Sequence, residues 1–221
     1  MCNVCFYGDS LLKATVPDAE LKYHFHLPEI MARYPSDRVQ ITNRAKMGAT
    51  ATKGLSLVEH DVARGLDADY ALICYGGNDS DYDWAAIAAD PEGDHRPHTE
   101  RETFRQTLAN ILSLLYRQGI QPVLMSLPPI DPRRYLRFIC RNGLDRSAIM
   151  RWLGDEEMIY RHQELYSDTV TELAYESGVP LIHVRQAFLA DHHMNALIAA
   201  DGIHMTMVGY GKLFDTLADW L

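Results

Sequence analysis

Five short apolar runs, each stopped by a turn, constrain this chain more than any other feature. They are Asn3–Tyr7 (NVCFY), Arg38–Thr42 (RVQIT), Tyr70–Tyr75 (YALICY), Gln121–Leu127 (QPVLMSL) and Pro180–Val184 (PLIHV). The runs are near-continuous in apolar residues rather than alternating, which predicts strands buried on both faces, as in a parallel sheet. Amphipathic helices separate them. In Thr99–Gln118, residues Phe104, Leu108, Ile111, Leu112 and Leu115 share one helical face. Thr99 stands three residues before Glu102, which predicts an N-terminal cap with capping-box spacing, and Gly119 predicts the stop. Glu156–Ser177 carries a second stripe, with Ile159, Tyr166, Val170 and Leu173, closed by Gly178. A last helix runs from about Met207 to Trp220. Strands alternating with helices predict an α/β fold, a three-layer αβα sandwich.

With 221 residues and about 150 per domain as the prior, the chain reads as a single domain over 1–221. Acids outnumber bases 30 to 21, a balance that argues against a general nucleic-acid binder. No apolar run reaches the 18 or so residues of a membrane span. The start, MCNVCFYGDSLL, has neither the cationic opening nor the long apolar stretch of a signal peptide, so a soluble, cytoplasmic protein with reduced thiols is expected. Cys2 and Cys5 form a C-x-x-C, but in a strand residues three apart face opposite ways. They read as small core residues and not as a metal or redox pair. Nothing in the sequence fixes an oligomeric state.

Chemistry-bearing residues gather in four short blocks. Gly8-Asp9-Ser10 follows the first run, Gly48 lies in the turn KMGAT after the second, and Gly77-Asn78-Asp79 follows the third. Asp201-Gly202-Ile203-His204 precedes the last helix. In a parallel sheet the first three converge on the carboxyl edge, where open α/β sheets bind ligands. Singly, each block has an ordinary reading as a turn or helix cap. Together they supply a serine, a histidine able to take its proton, and an aspartate three residues before that histidine to orient the ring.

This set, in this order, resembles the SGNH hydrolases, the GDSL esterase/lipase superfamily, over essentially the whole chain. One departure is Met205 directly after His204, where the family commonly has proline; Gly209-Tyr210 is kept. The resemblance implies a flavodoxin-like sandwich with a five-stranded parallel sheet. It implies Ser10 as nucleophile, His204 as base and Asp201 as its orienter. It assigns an oxyanion hole to the backbone N–H groups of Ser10 and Gly48 and the side-chain amide of Asn78. Asp9 is expected to order its loop. The implied activity is hydrolysis of a small carboxylic ester through an acyl-enzyme, the ester being an acetylated carbohydrate, a short acyl ester, a lysophospholipid or a thioester. The rival reading is a non-catalytic ligand-binding domain of the same fold.

Ten histidines show no metal-ligand spacing, and no P-loop, G-x-G-x-x-G or G-x-S-x-G is present, so no metal or cofactor is expected. Two connections, about 80–98 and 128–155, are long and leave the carboxyl ends of strands, which predicts functional loops or short helices. They carry Tyr82, Trp84, Tyr135, Phe138 and Trp152 beside Arg133, Arg134, Arg137 and Arg141. Tyr82, Trp84, Arg133 and Arg134 are the candidate substrate-binding residues, the arginines for an anionic group. The alternative for the arginines is a solvated helix face.

Overall fold

The structure, a computed structural model, describes residues 1–34 and 39–220. In chain order the first half comprises β1 (Cys2–Gly8), β2 (Thr15–Pro17), β3 (Tyr23–Phe25), α1 (Leu27–Met31), β4 (Val39–Asn43), α2 (Ala51–Ala63), β5 (Tyr70–Cys74), α3 (Trp84–Ala89) and α4 (Arg101–Arg117). The second half comprises β6 (Gln121–Met125), α5 (Pro132–Cys140), α6 (Arg146–Leu153), α7 (Glu157–Ser177), β7 (Leu181–Ile182), α8 (Val184–Leu189), α9 (Met194–Leu197) and α10 (Met207–Ala218). Five strands form one parallel sheet in the order β4-β1-β5-β6-β7. This is the doubly wound order, with its switch point beside β1. The five runs read from the sequence are these five strands. Arg38, the first residue of the second run, lies outside the described residues.

Alternation along each strand divides the core between two helical layers. Cys5, Tyr7, Ile73 and Leu124 pack with Phe104, Leu108, Tyr166 and Val170 from α4 and α7. Val4, Phe6, Leu72 and Met125 pack with Ile30, Phe188, Tyr210 and Phe214 from α1, α8 and α10. Cys5 belongs to the first layer and Cys2 packs against the second, and both are free thiols. Among the described residues no helix is long and apolar enough to cross a membrane.

Two local expectations need correction. Thr99 does not cap α4; the cap position is Glu100, without a side-chain bond. The Thr99 hydroxyl is taken by the Asp79 carboxylate instead. The fifth run is a strand only at Leu181–Ile182, because Val184 already opens α8. The long connections fold into α3, α5 and α6, whose Trp84, Ile87, Tyr135, Leu136 and Ile149 build a third apolar cluster.

Candidate active site

The turn after β1 carries Ser10, which is buried except for 8% of its surface. Lys13 and Thr15 donate their backbone N–H groups back to the Ser10 carbonyl, each at 3.2 Å, and so fix the turn. From the far end of the chain, the segment between α9 and α10 brings His204 to the same point. Ala199 N–H donates to the His204 carbonyl (2.8 Å) and Thr206 N–H to that of Leu197 (2.9 Å), closing a tight hairpin. Asp201 stands at its tip and is fully buried. Its Oδ1 accepts the N–H groups of Ile203 (3.2 Å) and His204 (3.1 Å), and its Oδ2 accepts His204 Nδ1–H at 2.6 Å. With the proton on Nδ1, Nε2 is an acceptor, and the Ser10 hydroxyl donates to it at 2.8 Å. Burial pushes the Asp201 carboxyl up, but the hydrogen bond and charge of His204 outweigh it and hold the group below the ordinary aspartate value. Met205 is completely buried in the second apolar layer, so packing anchors this turn where a proline would have stiffened it.

Asn78 follows β5, one strand over. Its Nδ2 donates to Asp9 Oδ2 (3.0 Å) and to the Ala49 carbonyl (3.2 Å). Asp9 therefore does two things: Oδ1 accepts Leu11 N–H at 2.9 Å, which orders the turn, and Oδ2 orients the Asn78 amide. Burial raises the Asp9 carboxyl to about 6, and does the same for Asp79. Asp79 receives Ala51 N–H at the start of α2 (2.9 Å), tying that helix to the Asn78 loop. Gly48 lies in the adjoining turn with φ +66°, next to the Ala49 carbonyl that holds Asn78.

A cavity of ≈ 280 Å³ opens beside Ser10, Asn78 and His204. Tyr82 and Trp84 line it, together with Tyr135 and Trp152. Gly48 is not part of its wall, and neither are Arg133 and Arg134. Arg133 is exposed and pairs with Glu156 (3.1 Å). Arg141 stacks on the Phe138 ring, 3.6 Å from its centroid. Among the described residues no group of three or more His, Cys, Asp or Glu side chains is placed to hold a metal ion.

Arg134 has a different place from the one expected of it. Its Nη1 donates to the carbonyls of Asn195 (3.0 Å) and Ile198 (2.5 Å), while Nε pairs with Asp131 (3.1 Å). Asp131 N–H in turn donates to the Gly202 carbonyl at 2.8 Å. The start of α5 thus grips the hairpin that presents Asp201 and His204. Gly202 has φ +84°, and a Cβ there would lie 2.4 Å from Tyr135 N, so no larger residue fits. Arg134→Ala is expected to lower kcat about 10- to 100-fold with little change in KM, since displacement of about 1 Å at a reacting group costs that much. Steady-state kinetics with a small ester, beside a thermal melt, checks this; equal kcat in the two proteins contradicts it.

Tyr23 is a site neighbour that carried no sequence signal. It sits in the three-residue β3, its ring 4.9 Å from that of His204. Burial, then the nearby Asp201 carboxylate, raises its phenol well above the ordinary value.

Solved structures share the fold at low identity. A lipase/acylhydrolase from Enterococcus faecalis superposes with TM-score 0.67 at 18% identity, covering 100% of this chain and 95% of its own. The M. smegmatis aryl esterase gives TM-score 0.67 at 16% identity, covering 100% and 98%. The acetyl xylan esterase AlAXEase gives TM-score 0.65 at 18% identity, covering 99% of each chain. No curated protein matches the chain by sequence. A family model described as GDSL-like lipase/acylhydrolase matches residues 6–212, from the strand that delivers Ser10 to beyond His204, and the chain therefore belongs to that family.

Proposed function

We propose that the protein is a serine esterase that hydrolyses small carboxylic esters through an acyl-enzyme. The observation that carries this reading is the continuous hydrogen-bonded chain from Asp201 through His204 to Ser10, ending at a cavity on the carboxyl edge of the sheet. Ser10 Oγ attacks the ester carbonyl as His204 Nε2 takes its proton, and the tetrahedral oxyanion forms. Its collapse expels the alcohol, to which His204 returns the proton. Water, deprotonated by His204, then attacks the acyl-Ser10, and acid and free serine are released. Asp201 stabilises the imidazolium in both halves.

The oxyanion would be met by the N–H of Ser10 and by Asn78 Nδ2, both on the cavity wall; the Gly48 N–H, outside that wall, would join them only with a shift of its turn. Receiving it requires Asn78 to give up one of its present bonds, and the 3.2 Å bond to the Ala49 carbonyl is the longer. Asn78→Ala is expected to reduce kcat about 10²–10³-fold, about 2.7–4 kcal/mol, because this donor works mainly once the oxygen is charged. A tenfold rise in KM at unchanged kcat would make Asn78 a ground-state binder instead.

The reading is tested with p-nitrophenyl acetate and a serine-directed phosphonylating reagent. Hydrolysis should be lost in proportion to one label per chain, mapped to Ser10 by peptide mass spectrometry. Every group in the proposed mechanism is a side chain or a backbone amide, so EDTA should leave the rate unchanged. Hydrolysis surviving full labelling, or a label on another residue, overturns the mechanism. A protein that binds esters without hydrolysing them would be the ligand-binding alternative.

A further inference from the structure

The wall of the cavity away from Ser10 comes from the two long connections, from the first turns of α7 and from Ile203, and its chemistry is uneven. Polar atoms are present, but they are committed to one another. Tyr135 Oη donates to Asp81 Oδ2 (2.6 Å) and Trp84 Nε1 to Asp81 Oδ1 (2.8 Å). Tyr82 Oη donates to His162 Nε2 (3.0 Å), whose Nδ1–H is taken by the Ser80 carbonyl (3.0 Å). Burial lowers the His162 pKa, which fits the neutral ring that this pattern requires. Gln163 donates to the Pro128 carbonyl (3.0 Å) and accepts from Arg185 (3.0 Å). What the wall presents to a ligand is ring faces and aliphatic surface: Tyr82, Trp84, Trp152, Ile130, Ile159 and Ile203.

The rings are also braced. Tyr82 meets Trp152 edge-on at 4.9 Å and Trp84 at 5.7 Å, and Trp84 meets Tyr135 at 6.3 Å. Such pairs fix one another in place. A rigid wall gains most from a ligand that is itself compact, because little freedom remains to be lost on either side. Size sets a further limit. A cavity of about 150 Å³ lined by apolar residues accepts one benzene ring. The ≈ 280 Å³ here is roughly twice that. A sugar would bring several hydroxyls to a wall that is largely apolar and whose side-chain acceptors each already hold an internal donor, so that many of those hydroxyls would be desolvated without a full set of partners.

We infer that this cavity selects esters carrying a compact apolar group of about one to two rings in size, in preference to acetylated polyols. The inference rests on the esterase reading and narrows it to a substrate class. The apolar group can belong to the acid or to the alcohol of the ester, and two substrate series separate these. In the first the alcohol is ethanol and the acid is acetic, hexanoic or 3-phenylpropanoic. In the second the acid is acetic and the alcohol is ethanol, hexanol or 3-phenylpropanol. An acetylated monosaccharide serves as the polar comparator, and acid release is followed by pH-stat.

In one series the phenyl-bearing ester should exceed ethyl acetate in kcat/KM by about 10- to 100-fold, as burial of a ring at about 25 cal/mol per Å² implies. The acetylated sugar should gain nothing over ethyl acetate. Trp152→Ala and Tyr82→Ala should each shrink the phenyl-to-ethyl-acetate ratio at least fivefold. Direct binding gives a second readout: Ser10→Ala protein, unable to turn over, should bind at least one of ethyl 3-phenylpropanoate and 3-phenylpropyl acetate with quenching of tryptophan fluorescence. A best rate on the acetylated sugar, or ratios unchanged in both wall variants, overturns the inference while leaving the esterase standing. If no ester is hydrolysed at all, the esterase reading fails, and the binding titration alone decides whether the cavity takes the apolar ester; absence of quenching then rejects it.

Discussion

Ser10→Ala should lower kcat by about 10³-fold or more while KM stays within a few-fold of the parent value, because the substitution removes the atom that bonds to carbon and little else. Ser10 is almost wholly buried, its backbone carbonyl carries two turn hydrogen bonds, and its hydroxyl is hydrogen-bonded to His204. The Ala variant therefore keeps the turn and the cavity. What rate remains should reflect oxyanion donors and binding acting on water. Initial rates with p-nitrophenyl acetate measure the loss, and the phosphonylating reagent should no longer label the protein. Parent-like turnover in the variant would falsify the assignment of Ser10 as nucleophile.

Asp201→Asn should cost about 10³–10⁴-fold in kcat, although it only replaces one carboxylate oxygen by an NH₂ group of similar size. The reason lies in which oxygen does what. Asp201 Oδ1 accepts two backbone N–H groups, from Ile203 and His204, so an asparagine must keep its carbonyl oxygen there. Its NH₂ then faces His204 Nδ1, which must become an acceptor. The imidazole proton moves to Nε2, and the ring can no longer accept from Ser10. The wild-type carboxylate, held below its usual value by His204, stays ionised across the neutral range. A depressed carboxylate stabilises the fold above its unfolded pKa, and that contribution is lost as pH falls through the folded value. The variant should consequently show less acid-dependent loss of thermal stability as well as slower turnover. Comparing kcat at neutral pH with melts taken down to pH 3 separates the two effects. An Asn variant within tenfold of the parent rate would mean that Asp201 does not set the ring's tautomer.

Much of the site was readable from residue order because each block is local. A buried strand that ends in Gly8-Asp9-Ser10, or in Gly76-Gly77-Asn78, states where the chain stops being a strand and which side chain stands at that edge. Helix ends were equally local: Gly119 and Gly178 take positive φ at the ends of α4 and α7, as a terminating glycine should. Thr99 misled because a hydroxyl that fits a cap fits a carboxylate as well. Asp79, twenty residues earlier and buried, had the stronger claim on it. The arginine cluster misled for a related reason. Charge on a helix says nothing about direction, and in Arg134 the guanidinium reaches carbonyls more than sixty positions away.

The sequence by itself determined the strand runs, the fold class and the identity of the residues at the sheet's carboxyl edge, since these follow from burial periodicity and turn chemistry within a few positions. The tertiary structure alone decided how those residues meet. The Ser10–His204 bond closes a separation of 194 residues, and its length depends on a hairpin held by Arg134 and Asp131 from another helix. Tyr23 reaches the His204 ring from a three-residue strand that is too short to show a period. The aromatic wall likewise became a cavity only when the two connections that leave the carboxyl ends of β5 and β6 packed on one another, a long-range apolar match that no local pattern records.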